Sequence, residues 1–271
     1  MCVCFFFFQI NKMIKSLVQN PTNLLSTSAR ALSILTTNKS DIEFLDKYDP
    51  QQVTLLYEPL MVVDQHDQII GQVTKKDAHL LSNIERQPSL VHRAFSFFLF
   101  DSSMKPARLI LQQRAPEKIT YPNLWANTCC SHPLFNQSET NGIEGVKHAV
   151  RRRVQYELGY EYLGDLIYLT RIFYQARNIP DDGIFGESEI DYIVMAKCPT
   201  NLTVDFQINK NEVEQIRAVS LNECEQTVEQ AVTTPWFSKI VREGLLAKWW
   251  SMLDEQEHVK EGELTDEIIE L

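Results

Sequence analysis

Several features that define common protein classes are missing from this 271-residue chain. It has no run of eighteen apolar residues, so the sequence predicts no transmembrane helix. Its net charge of -10 lacks the basic excess that a nucleic-acid backbone attracts, which argues against nucleic-acid binding. The six cysteines include no CxxC pair, and the adjacent Cys129 and Cys130 could be bridged only under strain. Reduced thiols in an intracellular protein are therefore expected.

Acidic residues are absent from the first forty positions, and the first acid in the chain is Asp41. Four basic residues precede it: Lys12, Lys15, Arg30 and Lys39. A basic, Ser/Thr-rich and intermittently apolar stretch without acids is typical of an organelle transit peptide. We therefore expect residues 1–41 to direct the protein to mitochondria. The alternative is a disordered extension without an address, which leaves a cytoplasmic or peroxisomal protein.

The rest of the sequence contains no internal repeat and no long linker, so residues 42–271 are predicted to form one domain. We also expect the protein to act as a monomer. The 44% of hydrophobic residues suffices for one sizeable core. From about residue 254 the chain turns acidic, with eight acids and one lysine up to Leu271. Such a run is expected to be a solvated tail.

Apolar runs bounded by turn residues predict the strands. Residues 60–63 (LMVV) and 69–73 (IIGQV) are separated by the polar segment DQHDQ, which indicates a hairpin. Four more strands are predicted at 94–100 (AFSFFLF), 108–112 (RLILQ), 166–176 and 190–196. The second of these follows the first after a short turn, so the two are expected to pair.

Two helices are predicted from apolar residues at helical spacing. The first covers residues 144–159, with valines or leucine every fourth position and Gly159 placed to end it. The second is a single long amphipathic helix over residues 236–250, which Pro235 begins. Strand pairs, a helix, more strands and a closing helix predict an α+β sandwich.

The helix at 144–159 resembles a Nudix box, G-x5-E-x7-R-E-U-x-E-E-x-G-U, in which U is aliphatic and the glutamates hold metal against a diphosphate. Four residues match when the final glycines are aligned: Glu144, Arg152, Glu157 and Gly159. Ser138 stands at the opening glycine, and Arg153 and Tyr156 replace two glutamates. The segment thus looks like a Nudix helix without most of the hydrolase metal cluster. An ordinary amphipathic helix is the alternative for this segment alone.

Further segments resemble the type I isopentenyl-diphosphate isomerases, a Nudix-like family. In YPNLWANTCCSHPL (121–134) a cysteine stands two residues before His-Pro, as in the central motif of that family. Other segments match in the family's order: HRAFSFFLF (92–100), LILQQRAPEKITYP (109–122), RRRVQYELG (151–159), YLTRIFYQA (168–176), GESEIDYI (186–193) and TPWF (234–237). The resemblance implies a Nudix-like α/β/α sandwich and the interconversion of isopentenyl and dimethylallyl diphosphate, which are isoprenoid precursors.

The resemblance also implies a metal site. Its five ligands would be His79, His92, His132, Glu187 and Glu189. Residues two apart on a strand share a face, so Glu187 and Glu189 can meet one ion, and imidazoles with carboxylates suit Zn²⁺ or Mn²⁺. Glu157 is expected to help hold a Mg²⁺ that arrives with the diphosphate. The other histidines, His66, His148 and His258, match nothing in the family pattern and are expected to be ordinary boundary or surface residues.

The family pattern assigns the remaining roles. The residues expected to bind the substrate are Lys75, Arg114, Lys118 and Ser131, with Trp236 near the cationic reaction centre. Cys130 and Glu189 are the expected acid and base for proton transfer at carbon, with Tyr174 as a relay beside Glu189. The sequence leaves open which of the two groups donates first. Cys129 is expected to pack inward, because neighbouring strand residues face opposite ways.

Two other readings compete with the isomerase. A Nudix diphosphohydrolase is disfavoured because Arg153 and Tyr156 replace glutamates that would hold its metals. A non-catalytic zinc-binding module is disfavoured because such sites usually show CxxC spacing, which this chain lacks.

Overall fold

The computed structural model describes residues 44–103, 105–162, 164–198, 206–255 and 267–271. The predicted transit peptide, residues 1–41, and His258 lie outside these ranges. The described part starts with a 3₁₀ turn at Phe44–Lys47 and the short helix α1, Pro50–Leu55, which the Asp49 side chain caps. Among the described residues, no helix combines the length and apolar composition that a membrane crossing needs.

The other described elements are strands and helices. In chain order they are β1 (Pro59–Val63), β2 (Ile69–Thr74), α2 (Lys75–His79), α3 (Leu81–Arg86), β3 (Val91–Asp101), β4 (Arg108–Arg114), β5 (Trp125–Ala126), β6 (Cys129–Ser131), α4 (Gly142–Leu158), β7 (Ile167–Arg177), β8 (Gly186–Cys198), β9 (Val213–Val219), α5 (Leu221–Glu229), α6 (Pro235–Arg242), α7 (Leu245–Glu255) and β10 (Ile268–Glu270). The predicted hairpin is confirmed, because β1 and β2 pair antiparallel.

Strand β3 is the centre of a mixed sheet. It pairs parallel with β8 over its length from His92 to Asp101 on one edge. On its other edge it pairs antiparallel with β1, then β6, then β4. The predicted pairing of the strands at 94–100 and 108–112 is therefore correct but short, because it is limited to Phe100 with Leu109 and Asp101 with Arg108.

Both faces of β3 are buried, which explains its nearly continuous apolar sequence. Phe95 and Phe97 pack with the apolar side of α4, whereas Phe98 and Phe100 pack with the C-terminal helices. Trp249 and Trp250 of α7 contact these last two phenylalanines edge-on. Burying each such ring contributes roughly 1.5–3 kcal/mol. Helices therefore cover both faces of the sheet, as the α/β/α prediction required.

Helix α4 agrees with its sequence pattern. Val146, Val150, Val154 and Leu158 are all buried on the face toward the sheet. Gly159 ends the helix with φ of 63°, in the left-handed region that favours glycine. A β-carbon there would lie 2.5 Å from the backbone oxygen of Gln207, so the following loop also depends on this glycine.

The C-terminal predictions need two corrections. The expected long helix is two helices, because Gly244 between α6 and α7 adopts a left-handed φ of 72° and interrupts the helical hydrogen bonds. The tail is not solvated throughout, since Ile268–Glu270 pairs parallel with β7 as β10. The Leu271 backbone oxygen also accepts a hydrogen bond from Lys239 of α6. Apolar Ile268 and Ile269 supply the side chains that let this acidic segment join the sheet edge.

Candidate active site and metal centre

Five buried side chains meet at one end of β3: His79, His92, His132, Glu187 and Glu189. Their candidate ligand atoms all lie within 4.8 Å of one another. The sheet explains the convergence, because parallel pairing sets His92 opposite Glu189 and alternation along β8 places Glu187 on the same face. His79 ends α2, and His132 directly follows β6. The structure thus brings together every residue of the predicted metal site.

Glu189 is the most heavily bonded residue of this cluster. Its Oε1 lies 2.9 Å from Nε2 of His92 and 2.8 Å from Nε2 of His132. Its Oε2 accepts a hydrogen bond of 2.5 Å from the Tyr174 hydroxyl. Although burial works in the opposite direction, the hydrogen bonds from His132 and His92 hold the pKa of Glu189 well below its usual range. Glu189 is therefore an ionised carboxylate.

The contact between His79 and Glu187 is evidence that a cation belongs here. Nδ1 of His79 lies 2.7 Å from the backbone oxygen of Lys75, and a carbonyl oxygen can only accept, so Nδ1 carries the proton. In a neutral ring Nε2 then presents a lone pair, 3.0 Å from Oε2 of Glu187. That oxygen is buried and has no hydrogen-bond partner among the described residues. Two facing lone pairs repel each other, so a proton on Glu187 or a metal cation has to lie between them.

Burial keeps His79 and His132 as neutral imidazoles, which is the form that binds metal. It lowers the pKa of His79 to about 4 and holds the pKa of His132 well below its usual value. Burial and the neighbouring Glu189 raise the pKa of Glu187. Neutral imidazoles and carboxylates are ligands for divalent cations, so the donor set fits a divalent metal.

A cleft of about 440 Å³, including its mouth, opens beside the cluster. It is lined by Lys75, His79, Ala94, Phe95, Ser96, Arg114, Lys118, Thr120, Cys130, Ser131, His132, Arg153, Tyr174, Glu187, Glu189, Asp191 and Trp236. All the residues predicted to act on or bind the substrate are in this set. Of the predicted metal ligands, His92 and Glu157 do not line it.

The two neighbouring cysteines of β6 face opposite sides of the sheet. Cys130 lines the cleft, whereas Cys129 is fully buried in the core beneath α4. Burial raises the pKa of the Cys130 thiol to about 12, with the Arg114 guanidinium acting in the opposite direction from 3.6 Å. Cys130 is therefore a protonated thiol near neutral pH, which suits an acid. The predicted inward orientation of Cys129 is confirmed.

Four basic side chains line the cleft. Lys75, Arg114 and Lys118 lie there as predicted, together with Arg153. Burial and repulsion from Lys118 lower the pKa of Lys75 to about 8. Ser131 adds a hydroxyl on the same wall. This density of positive charge suits a polyanion such as a diphosphate.

Aromatic side chains form another wall. Trp236 is buried and donates its Nε1–H to Oδ1 of Asn127 at 3.0 Å, which fixes the ring plane. The ring centroid lies 6.1 Å from that of Tyr174 and 5.1 Å from that of Tyr121. Beside Cys130 and Glu189, the wall offers apolar surface and a π-face that can stabilise a cation.

Some site residues were missed at the sequence level. Asp191 lies two residues beyond Glu189 on β8 and therefore on the same face, so strand alternation could have identified it. Its partner Ser96, which donates to Asp191 at 2.7 Å, gave no signal of its own. Arg153 was noted only as a lost glutamate, yet it lines the cleft and contacts Glu157 at 2.6 Å.

Glu157 lies outside the five-residue cluster. Its carboxylate accepts hydrogen bonds from Arg153 and, at 3.2 Å, from Gln112. His66 is exposed in the hairpin turn, and His148 contacts the backbone oxygen of Ser138. Those two histidines therefore take no part in the site, in agreement with their lack of a family match.

Comparison with known proteins accounts for this combination of fold and site. The NUDIX domain family matches residues 90–237, so the chain is a Nudix protein. It is 43% identical to "Isopentenyl-diphosphate delta-isomerase IDI1" of Gibberella zeae over 221 residues, covering 78% of this chain and 82% of that protein. It is 38% identical to "Isopentenyl-diphosphate delta-isomerase" of Candida albicans, covering 84% and 85%. With "Isopentenyl-diphosphate Delta-isomerase 1" of Mus musculus it shares 42% over 76% and 90%. The chain belongs to the isopentenyl-diphosphate isomerase family.

Replacing a single imidazole should disrupt the metal centre. We expect His132→Ala to lower bound divalent transition metal at least about tenfold, because ligands act as a unit. The measurement is metal content by mass spectrometry after dialysis against limiting Zn²⁺ or Mn²⁺. His66→Ala, which removes an exposed imidazole outside the cluster, should keep wild-type content. Full occupancy in His132→Ala would contradict the five-ligand site.

Proposed function

We propose that this protein interconverts isopentenyl and dimethylallyl diphosphate, which places it in isoprenoid precursor synthesis. The proposal rests on one observation. The protonated thiol of Cys130 and the ionised carboxylate of Glu189 line the same cleft as four basic side chains. The relatives' names give the same activity. We also propose that the protein acts as a monomer.

Moving the double bond requires one proton to be added at the terminal methylene carbon and another to be removed from the carbon next to the diphosphate-bearing one. Cys130 and Glu189 suit these steps, because β6 and β8 hold them on opposite edges of β3. One group protonates and the other accepts a proton, and the reverse reaction exchanges their roles. Each turnover therefore leaves the proton count of the protein unchanged.

Neighbouring groups support the transfer. The Tyr174 hydroxyl holds Glu189 in place and offers a proton path along its 2.5 Å hydrogen bond. The face of Trp236 stabilises positive charge on the hydrocarbon between the two steps. A divalent metal held by His79, His92, His132, Glu187 and Glu189 would polarise the Glu189 carboxylate and fix its geometry. We propose Zn²⁺ or Mn²⁺ for this site.

The diphosphate is proposed to bind at the basic side chains of the cleft. Arg114 presents a planar fork to phosphate oxygens, Lys75 and Lys118 act as point charges, and Ser131 donates its hydroxyl. We also propose a Mg²⁺ that accompanies the diphosphate, with Glu157 as its protein carboxylate. The match of Glu157 to a metal-binding glutamate of the Nudix box supports this assignment.

A diphosphohydrolase is the alternative, and α4 argues against it. Nudix hydrolysis uses a group of glutamates on this helix, but here Arg153 and Tyr156 occupy two of those positions. Arg153 is buried and paired with Glu157. A positive charge therefore stands where the Nudix pattern has a metal-binding glutamate. The helix is thus better suited to binding an anion than to a cluster of cations.

Substitution of the two cysteines tests the proposal. Purified protein with Mg²⁺ should convert isopentenyl diphosphate into its dimethylallyl isomer, followed by magnetic resonance. Cys130→Ala should lower kcat by at least about a thousandfold, because the acid is removed. Cys129→Ala is the matched control, since this thiol points into the core, and it should keep substantial activity. An essential Cys129 with a dispensable Cys130 would contradict the assignment.

We further propose that the protein is imported into mitochondria. The composition of its first forty residues supports this, with four basic residues and no acid before Asp41. A fluorescent reporter fused after residues 1–45 should therefore colocalise with a mitochondrial dye. Replacing Lys12, Lys15 and Arg30 by glutamate in the same fusion should abolish import. A diffuse cytosolic signal or a peroxisomal one from the unmodified fusion would refute the address.

A further inference from the structure

A single buried carboxylate, Glu212, lies behind the basic side chains of the cleft. It precedes β9 in a turn that runs from Asn209 to Glu212, and only 2% of its surface is exposed. Its Oε2 accepts from Lys118 Nζ at 2.6 Å and from Arg153 at 3.1 Å. Both of these cations line the cleft, whereas Glu212 does not. Glu212 therefore contacts two cations that line the cleft without lining the cleft itself.

A third donor uses the other oxygen. The side-chain amide of Gln52, on α1, donates to Oε1 of Glu212 at 3.0 Å. The same amide group contacts the backbone and side-chain oxygens of Asn211 at 2.9 and 2.8 Å. Donors from three separate parts of the chain thus converge on one carboxylate: α1, the loop after β4 and helix α4.

The backbone reinforces the arrangement. The backbone oxygen of Glu212 accepts from the amide of Ala115 at 3.0 Å, and the oxygen of Ala115 accepts from the amide of Lys118 at 3.2 Å. Glu212 therefore holds the loop that carries Lys118 at both its main chain and its side-chain tip. Attraction to Lys118 and Arg153 outweighs the effect of burial and lowers the pKa of Glu212, so the carboxylate is ionised.

We propose that Glu212 is a positioning residue for diphosphate binding: it holds Lys118 and Arg153 in the orientation that the substrate's phosphate groups require. The proposal rests on the diphosphate substrate proposed above. Long basic side chains lose rotamer freedom when they bind an anion, and a carboxylate that has already fixed them removes that cost before binding. Such a residue acts through others and does not touch the substrate.

A glutamine cannot replace this carboxylate. Three groups donate to Glu212: Lys118, Arg153 and the Gln52 amide, which cannot turn its own oxygen toward Glu212 without losing its bond to the backbone oxygen of Asn211. A carboxamide has one accepting oxygen and one NH₂ group. In Glu212→Gln the side-chain oxygen can still face Lys118 and Arg153, but the NH₂ group then meets the NH₂ of Gln52, so the side chain has to shift and the charge-assisted bonds to both cations are lost. Removing a negative charge would by itself favour an anionic ligand, so weaker binding in this variant would identify orientation as the dominant effect.

The test measures binding and turnover separately. We expect Glu212→Gln to raise KM for isopentenyl diphosphate and the Kd for inorganic pyrophosphate about tenfold each, as for the loss of a charge-assisted hydrogen bond, with kcat changed less than about twofold. Calorimetry with Mg²⁺-pyrophosphate gives the Kd without any turnover. Glu212→Asp, which keeps the charge on a shorter stem, should lie between the two proteins, and it serves as the test if the glutamine variant does not fold.

Asp67→Asn provides a matched control. Asp67 is also a buried carboxylate that holds two arginines, Arg93 at 2.9 Å and Arg171 at 3.2 Å, but it lies at the β1–β2 turn and Arg93 faces away from His92 on β3. It should lower the melting temperature while leaving the Kd for pyrophosphate unchanged. Equal pyrophosphate affinity in wild type and Glu212→Gln would overturn the positioning role. Wild-type protein that binds pyrophosphate but forms no dimethylallyl isomer would instead refute the proposed function.

Discussion

The rest of the site depends on a cluster of two carboxylates and three imidazoles. All five side chains are buried. Glu187 and Glu189 lie on one face of β8, where like charges repel strongly and water cannot screen them. Burial lowers the pKa of His79 to about 4 and holds the pKa of His132 well below its usual value, so these two imidazoles carry no compensating charge. A divalent metal at the centre of the five side chains would offset this repulsion. Glu189 therefore belongs both to the cluster that fits a metal ion and to the lining of the cleft.

Positively charged side chains line the same cleft as this cluster. Four basic side chains gather there, and the carboxylates nearest to them, Glu157 and Glu212, lie behind the cleft wall. Nudix proteins place glutamates on the helix that α4 represents, and in this chain Arg153 takes one of those positions. The cleft therefore combines basic side chains, which suit a polyanion, with the buried cluster of histidines and glutamates. The Cys130 thiol and the aromatic wall line the same cleft, where a hydrocarbon group can be protonated away from water.

Patterns that depend on near neighbours in the chain predicted much of this molecule. The hairpin of β1 and β2, the buried strand β3 and the helix α4 with Gly159 at its end all follow from local periodicity and turn chemistry. The ligand cluster and the substrate-binding residues were predicted through segments that match a family. Strand alternation alone could have added Asp191 to them.

Features that depend on long-range packing were not predictable in this way. Amphipathic spacing continues through Gly244, so nothing periodic marks the break between α6 and α7. The acidic composition of the tail hid the two isoleucines that join it to β7. Glu212 follows a polar turn and meets Lys118 across 94 positions of sequence, and no local pattern records such a pair.

Isomerisation in deuterium oxide tests the central claim most directly. If separate acid and base groups protonate one carbon and deprotonate another, dimethylallyl diphosphate formed from isopentenyl diphosphate must carry solvent deuterium in a methyl group, detectable by magnetic resonance. The same reaction mixture should release no phosphate. Phosphate release in place of the isomer, or an isomer without deuterium, would contradict the account.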